Sequence, residues 1–128
     1  MDHTRTTRPL VVIESHARTY PDPIAITEGE QVAAGERDNP GGHEGYWIWC
    51  TDGAGKSGWI PEQFLEITDG TAIALVDCDA IELTVAEGDR LVGGEPVNGW
   101  VWCVTEDDDA GWVPVDKVRP AGDSDTGE

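Results

Sequence analysis

Trp47-Ile48-Trp49-Cys50, followed by Gly58-Trp59-Ile60-Pro61, returns later in the same chain as Trp100-Val101-Trp102-Cys103, followed by Gly111-Trp112-Val113-Pro114. The interval between the two parts is the same in both copies, and all six tryptophans fall inside the pattern. Upstream, Thr27-Glu28-Gly29-Glu30 answers Ala86-Glu87-Gly88-Asp89 at a slightly larger offset, so the first copy carries a longer loop before its tryptophans. A duplication whose copies differ by the length of a loop means two copies of one small domain. A period of roughly 50 to 60 residues is too long for a helical solenoid and suits a small β-barrel.

Outward from the tryptophans, the chain reads as short apolar or alternating runs broken by turn residues. In the first copy the runs are Leu10 to Ile13, Ile24 with Ile26, Gln31 to Ala34, Tyr46 to Thr51 and Ser57 to Pro61. Tyr20-Pro21-Asp22-Pro23, Asn39-Pro40-Gly41-Gly42 and Asp52-Gly53-Ala54-Gly55 punctuate them as turns or loops. The second copy repeats the order with Ala72 to Val76, Leu83 with Val85, Arg90 to Val92, Trp100 to Thr105 and Gly111 to Pro114. Five short strands per copy predict an all-β chain of two tandem five-stranded barrels, one over residues 9–68 and one over residues 71–120. Thr68-Asp69-Gly70 reads as a short junction that keeps the barrels close. Residues 1–8 read as a flexible arm and residues 121–128 as a disordered acidic tail.

Composition bounds the function. The 128 residues hold 26 acidic against eight basic side chains, a formal charge of -18, and the acids are spread along both copies. Nucleic acid is disfavoured as a partner, because phosphate contacts need clustered Lys and Arg, and the lysines are Lys56 and Lys117 alone. The even acidity reads either as adaptation to high internal salt, as in halophilic prokaryotes, or as an acidic surface and no more. The run Glu106-Asp107-Asp108-Asp109 reads as a solvated hairpin tip, because a calcium loop needs alternating ligands and a glycine.

Cys50 and Cys103 occupy equivalent places in the repeat, which points to a shared packing role rather than to a nucleophile. With Cys78 the three thiols make no closed disulfide set and show no Cys-x-x-Cys spacing, and His3, His16 and His43 form no ligand pattern, so no metal and no cofactor is expected. Free thiols and an apolar run at Leu10 to Ile13 too short for a leader or a span indicate a cytoplasmic protein without membrane insertion. No nucleophile, base and oxyanion set can be assembled from repeated positions, so the reading is non-enzymatic.

Several stretches resemble the SH3 domains. Ala74-Leu75-Val76-Asp77-Cys78-Asp79-Ala80 is similar to the family's opening Ala-Leu-Tyr-Asp-Tyr strand. Glu82-Leu83-Thr84-Val85-Ala86-Glu87-Gly88-Asp89, Asn98-Gly99-Trp100-Val101-Trp102-Cys103 and Gly111-Trp112-Val113-Pro114 follow in the family's order. The first copy matches through Ile24 to Glu30, Tyr46 to Cys50 and Gly58 to Leu65, while its opening strand aligns poorly. The variant SH3-like domains of prokaryotes are the nearest in kind, and the resemblance implies two tandem five-stranded SH3-like barrels.

The resemblance also implies a groove for proline-rich peptides, which dock as preformed polyproline II helices between aromatic ridges. The first copy supplies Trp47, Trp59, Pro61 and Phe64, with Tyr20 as a partial substitute for the missing opening tyrosines. The second supplies Trp100, Trp112 and Pro114, with Lys117 where the last aromatic should be and Glu82 as the remaining acid for a ligand cation. Strand alternation sends Ile48 and Cys50 inward, with Ile24 or Ile26 and Ile60, and leaves Trp47 and Trp49 on the outer side. The same division sets Val101 and Cys103 against Trp100 and Trp102. Two other classes remain beside an adaptor for a protein or proline-rich peptide, in which the first copy is the better groove. One is a structural or regulatory subunit whose tryptophans pack in a homo-oligomer or complex, and the other is a module binding a glycan or small molecule through exposed indoles.

Overall fold

A computed structural model describes residues 7–39 and 45–121. The chain forms two compact units: Tyr20–Ile81 is continuous, and the other joins the described residues before Tyr20 to those after Ile81.

In the continuous unit, β3 (Gln31–Asp38), β4 (Trp47–Thr51), β5 (Ser57–Pro61), β6 (Leu65–Thr68) and β7 (Thr71–Ala74) form one antiparallel sheet in the order β5-β4-β3-β7-β6. A two-stranded ribbon pairs β2 (Ala25–Ile26) with β8 (Cys78–Asp79). The discontinuous unit uses β1 (Arg8–Val12), β9 (Arg90–Gly93), β10 (Trp100–Thr105), β11 (Ala110–Pro114) and β12 (Val118–Pro120) in the order β11-β10-β9-β1-β12. Among the described residues, a 3-10 turn precedes β6, Glu62–Phe64, and another precedes β12, Val115–Lys117.

The two sheet orders are identical, with one exchange. The strand that opens the first copy, β1, lies between β9 and β12 of the second, while β7, which opens the second copy, lies between β3 and β6 of the first. The division into residues 9–68 and 71–120 therefore does not describe the compact units. The cause is local. Asp69 and Gly70, read from sequence as a junction, have φ of 44° and 84°. Positive φ at both central residues is the two-residue hairpin turn that matches strand twist, and Asp-Gly is among its preferred pairs. Thr68 pairs with Thr71 across it, and β7 folds straight back onto β6.

The cores follow from alternation. Ile24, Ile26, Val32, Ile48, Cys50, Ile60, Leu65, Ala72 and Ala74 pack together in the continuous unit, and Leu10, Val12, Leu83, Val85, Leu91, Val101, Cys103, Val113 and Val118 in the other. Ile48, Cys50, Val101 and Cys103 thus point inward as expected. Cys50, Cys78 and Cys103 are free and buried, and burial pushes their thiols up to about 11, about 12 and about 12. Such thiols pack as small apolar groups and are poor nucleophiles at neutral pH.

Among the described residues, no helix is long and apolar enough to cross a membrane. The expected arm and tail lie mostly outside the described residues, but their inner ends depart from the expectation. Arg8 begins β1, and Ala121 is buried and donates its N–H to the Pro9 carbonyl at 3.0 Å. Of the Asn39 to Gly42 loop, only Asn39 is described. The acidic hairpin tip behaves as a turn: Thr105 Oγ1 accepts the N–H groups of Asp107 and Asp109, each at 3.1 Å, and the four acids are exposed.

Candidate functional site

On the discontinuous unit, β10 and β11 pair Trp100 with Pro114 and Trp102 with Trp112. Cross-strand partners share a face of a sheet, so these four stand together on the side opposite Val101, Cys103 and Val113. Pro114, with φ of -59°, leads directly into the 3-10 turn that carries Lys117. The segment after β1 adds the remaining parts. His16 exchanges backbone hydrogen bonds with Val85, at 3.0 and 2.8 Å, and its ring meets the Trp100 indole edge-on with centroids 5.7 Å apart. An edge-to-face pair of this kind fixes both rings.

Polar contacts brace that arrangement. His16 Nε2 lies 3.0 Å from Glu82 Oε1, which also accepts the Thr19 N–H at 3.1 Å and the Thr19 hydroxyl at 3.0 Å. Lys117 Nζ donates to the Ser15 carbonyl at 3.2 Å and lies 3.8 Å from Glu14. Trp100 and Pro114 are half-buried.

The continuous unit builds the corresponding face differently. Trp47 pairs with Pro61 and Trp49 with Trp59, and Tyr20, Trp49 and Trp59 form an edge-on chain with centroid distances of 5.4 and 5.1 Å. Trp47 is only 3% exposed, and Pro61 is buried. Phe64 packs against the core. Beside them Arg37 donates to both Glu62 oxygens at 2.8 and 3.3 Å and lies 3.7 Å over the Tyr46 ring. The Glu62 hydrogen bond holds the guanidinium above its ordinary value.

Several sequence expectations change here. Trp47, expected on the outer side as a groove residue, is buried, as are Pro61 and Trp112, because alternation gives the side a residue faces and not what covers that side. At Trp112 the neighbouring chain is visible: Leu83 donates its N–H to the Trp112 carbonyl at 3.1 Å, and the Trp102 ring stands edge-on at 5.4 Å. Tyr20 does not replace an opening tyrosine but packs on Trp49. Glu82, expected to await a ligand cation, is committed to His16 and Thr19, with 13% of its side chain exposed. In the first copy, expected to be the better groove, Trp47 and Pro61 are buried, whereas Trp100 and Pro114 of the second are half-buried.

His16 is the residue that sequence reasoning missed. It occupies the place that Cys78 holds in the other unit: Cys78 pairs with Ile26, and His16 with Val85. The backbone shows the correspondence, because Ile13 donates to the Lys117 carbonyl as Leu75 does to that of Phe64, each at 2.8 Å. Val12 to His16 and Ala74 to Cys78 share no residue identity, so no motif could have aligned them.

With this geometry in place, comparison with known families gives one result. The family model described as variant SH3 domain matches residues 9–68. The all-β fold agrees with that match. The match follows linear order, and its opening strand is the β1 that sits in the other sheet. No curated protein matches the chain. SH3-like domains are in general interaction modules without catalytic activity.

Proposed function

We propose that the chain is a non-enzymatic adaptor of two SH3-like units, and that the discontinuous unit holds a peptide or protein segment on Trp100 and Pro114, with His16 bracing the Trp100 indole. The observation that carries this reading is the contrast between equivalent positions: Trp100 and Pro114 are accessible, whereas Trp47 and Pro61 are covered. A half-open indole beside a proline and an edge-on imidazole presents a rigid apolar floor suited to a proline or flat apolar side chain. Lys117 and Glu14, where a familiar groove carries aromatics, shorten that floor, so the ligand has a single anchor rather than two successive proline pockets. The chain's charge of -18 favours basic residues around the anchor.

The test is an NMR titration of the full chain with peptides carrying one proline among apolar and basic residues. The Trp100 indole N–H resonance is expected to move while that of Trp47 stays, and Trp100→Ala, verified as folded, should abolish the shifts. Shifts confined to Trp49 and Trp59, or no shift with any peptide, would overturn the reading.

A further inference from the structure

We infer that side-chain volume in the two cores selects the exchanged pairing of β1 and β7, and that this selection is what places His16 beside Trp100. The second clause rests on the reading of the Trp100 surface as the binding site; the first does not.

The two opening strands differ sharply in bulk. The register places Leu10 and Val12 of β1 where β7 has Ala72 and Ala74. Their surroundings differ in the opposite sense. Ala34, Ile48, Ile60, Leu65 and Ile26 of the continuous unit correspond to Gly93, Val101, Val113, Val118 and Val85 of the other, each smaller by one carbon. Leu91 beside Leu10 runs the other way, being larger by one carbon than Val32 beside Ala72. Most of the volume that β1 adds is thus removed from the residues around it, and the small residues of β7 are matched mainly by larger neighbours, so the two cores stay close in total volume, the condition that well-packed interiors enforce.

Gly93 shows how tight the fit is. A Cβ at that position would lie 2.5 Å from Leu10 Cδ1, 2.9 Å from Val101 Cγ1 and 3.2 Å from Cys103 Sγ. In a contiguous pairing, β1 would bring Leu10 against Ala34, which carries the carbon that Gly93 lacks, and against Ile48, Ile60 and Leu65. β7 would bring Ala72 and Ala74 to Gly93 and a ring of valines. One core would be overpacked and the other left with a void, and both conditions are unfavourable.

The consequence reaches the site because residues downstream of each strand travel with it. His16 follows β1 and Cys78 follows β7. In the exchanged pairing His16 faces Trp100; in a contiguous pairing Cys78 would stand there and His16 would stand beside Trp47. Leu10 and Gly93 are accordingly positioning residues for a site that neither of them touches.

The experiment uses the full chain with extra Gly and Ser residues inserted between Asp69 and Gly70, so that the hairpin no longer holds β7 on β6. Inserted alone, they should leave the native cross-strand NMR contacts, Val11 to Arg90 and Ile73 to Gln31. Combined with Leu10→Ala, Val12→Ala, Ala72→Leu and Ala74→Val, they should produce Val11 to Gln31 and Ile73 to Arg90 contacts instead, with the His16 ring no longer shifted by Trp100. Re-pairing on insertion alone, or native contacts retained after the four substitutions, would overturn the inference. If the combined variant does not fold, a smaller cycle decides. Gly93→Ala should lower the folded-to-unfolded ratio at least about tenfold in the wild type and several-fold less in a Leu10→Ala background, where only the approaches to Val101 and Cys103 remain. Equal penalties in both backgrounds would also overturn it. None of these readouts needs a ligand, so failure here and failure of the binding reading are separable.

Discussion

Equivalent residues of the two repeats differ in burial. Trp47 and Trp100 hold the same place in the pattern, yet the first is covered and the second half-open. Trp47→Ala is expected to act on stability, lowering it by about 3–5 kcal/mol as for other buried aromatics, and a urea denaturation series on the two alanine variants checks this. Trp100→Ala should cost clearly less stability while removing ligand binding; equal losses would contradict the difference in cover. Glu82→Ala removes the shared acceptor of His16 and Thr19 and should cost about 1–3 kcal/mol. It should also free the His16 ring, read as loss of its ring-current shift from Trp100. At this scale the sequence was partly legible. It supplied Trp100 and Pro114, but not the donors that hold Glu82, which come from residues more than sixty positions away. His16 was missed for the same reason.

Strands and turns were the most legible level. The alternating runs around Trp47 to Thr51 and Trp100 to Thr105 became β4 and β10, with the expected inward residues. The turn at Asp69-Gly70 was visible as a dipeptide and misjudged in its role. Taken as a junction it separates domains, whereas its positive φ values make it a hairpin that commits β7 to β6. Gly70→Ala places a Cβ at φ of 84° and is expected to cost about 1 kcal/mol. Thermal unfolding checks it, and an unchanged midpoint would mean that the hairpin is not held as described.

The exchange of opening strands shapes the behaviour of the whole molecule. Residues 20–81 contain every strand of their own sheet, so this piece should fold alone, though marginally for its size. Residues 71–121 lack β1, the strand between β9 and β12, and should not. Amide dispersion in NMR spectra of the two fragments decides, and a folded 71–121 fragment would contradict the pairing. Alkaline behaviour is a second whole-chain property. Cys50, Cys78 and Cys103 are raised from an ordinary 9.0 to about 11, about 12 and about 12, chiefly by burial. A raised thiol stabilises the fold below pH 9 and loses that contribution as pH climbs through the folded value, since the unfolded chain releases its protons first. Stability should therefore fall between about pH 9 and pH 12, and less steeply in a chain with all three cysteines replaced by alanine. Parallel pH profiles for the two chains would refute this.

The duplicated pattern, the β character of the chain, the inward face of each tryptophan strand and the strong acidity are all legible in the sequence alone. These depend on periodicity, turn residues and charge, which are local properties that survive any arrangement of the elements. Only the tertiary structure decided which sheet each opening strand enters, which tryptophans are covered, and that His16 and Trp100 meet. Those outcomes depend on how side chains distant in sequence fill a common volume, and packing of that kind has no signature in any single stretch of the chain.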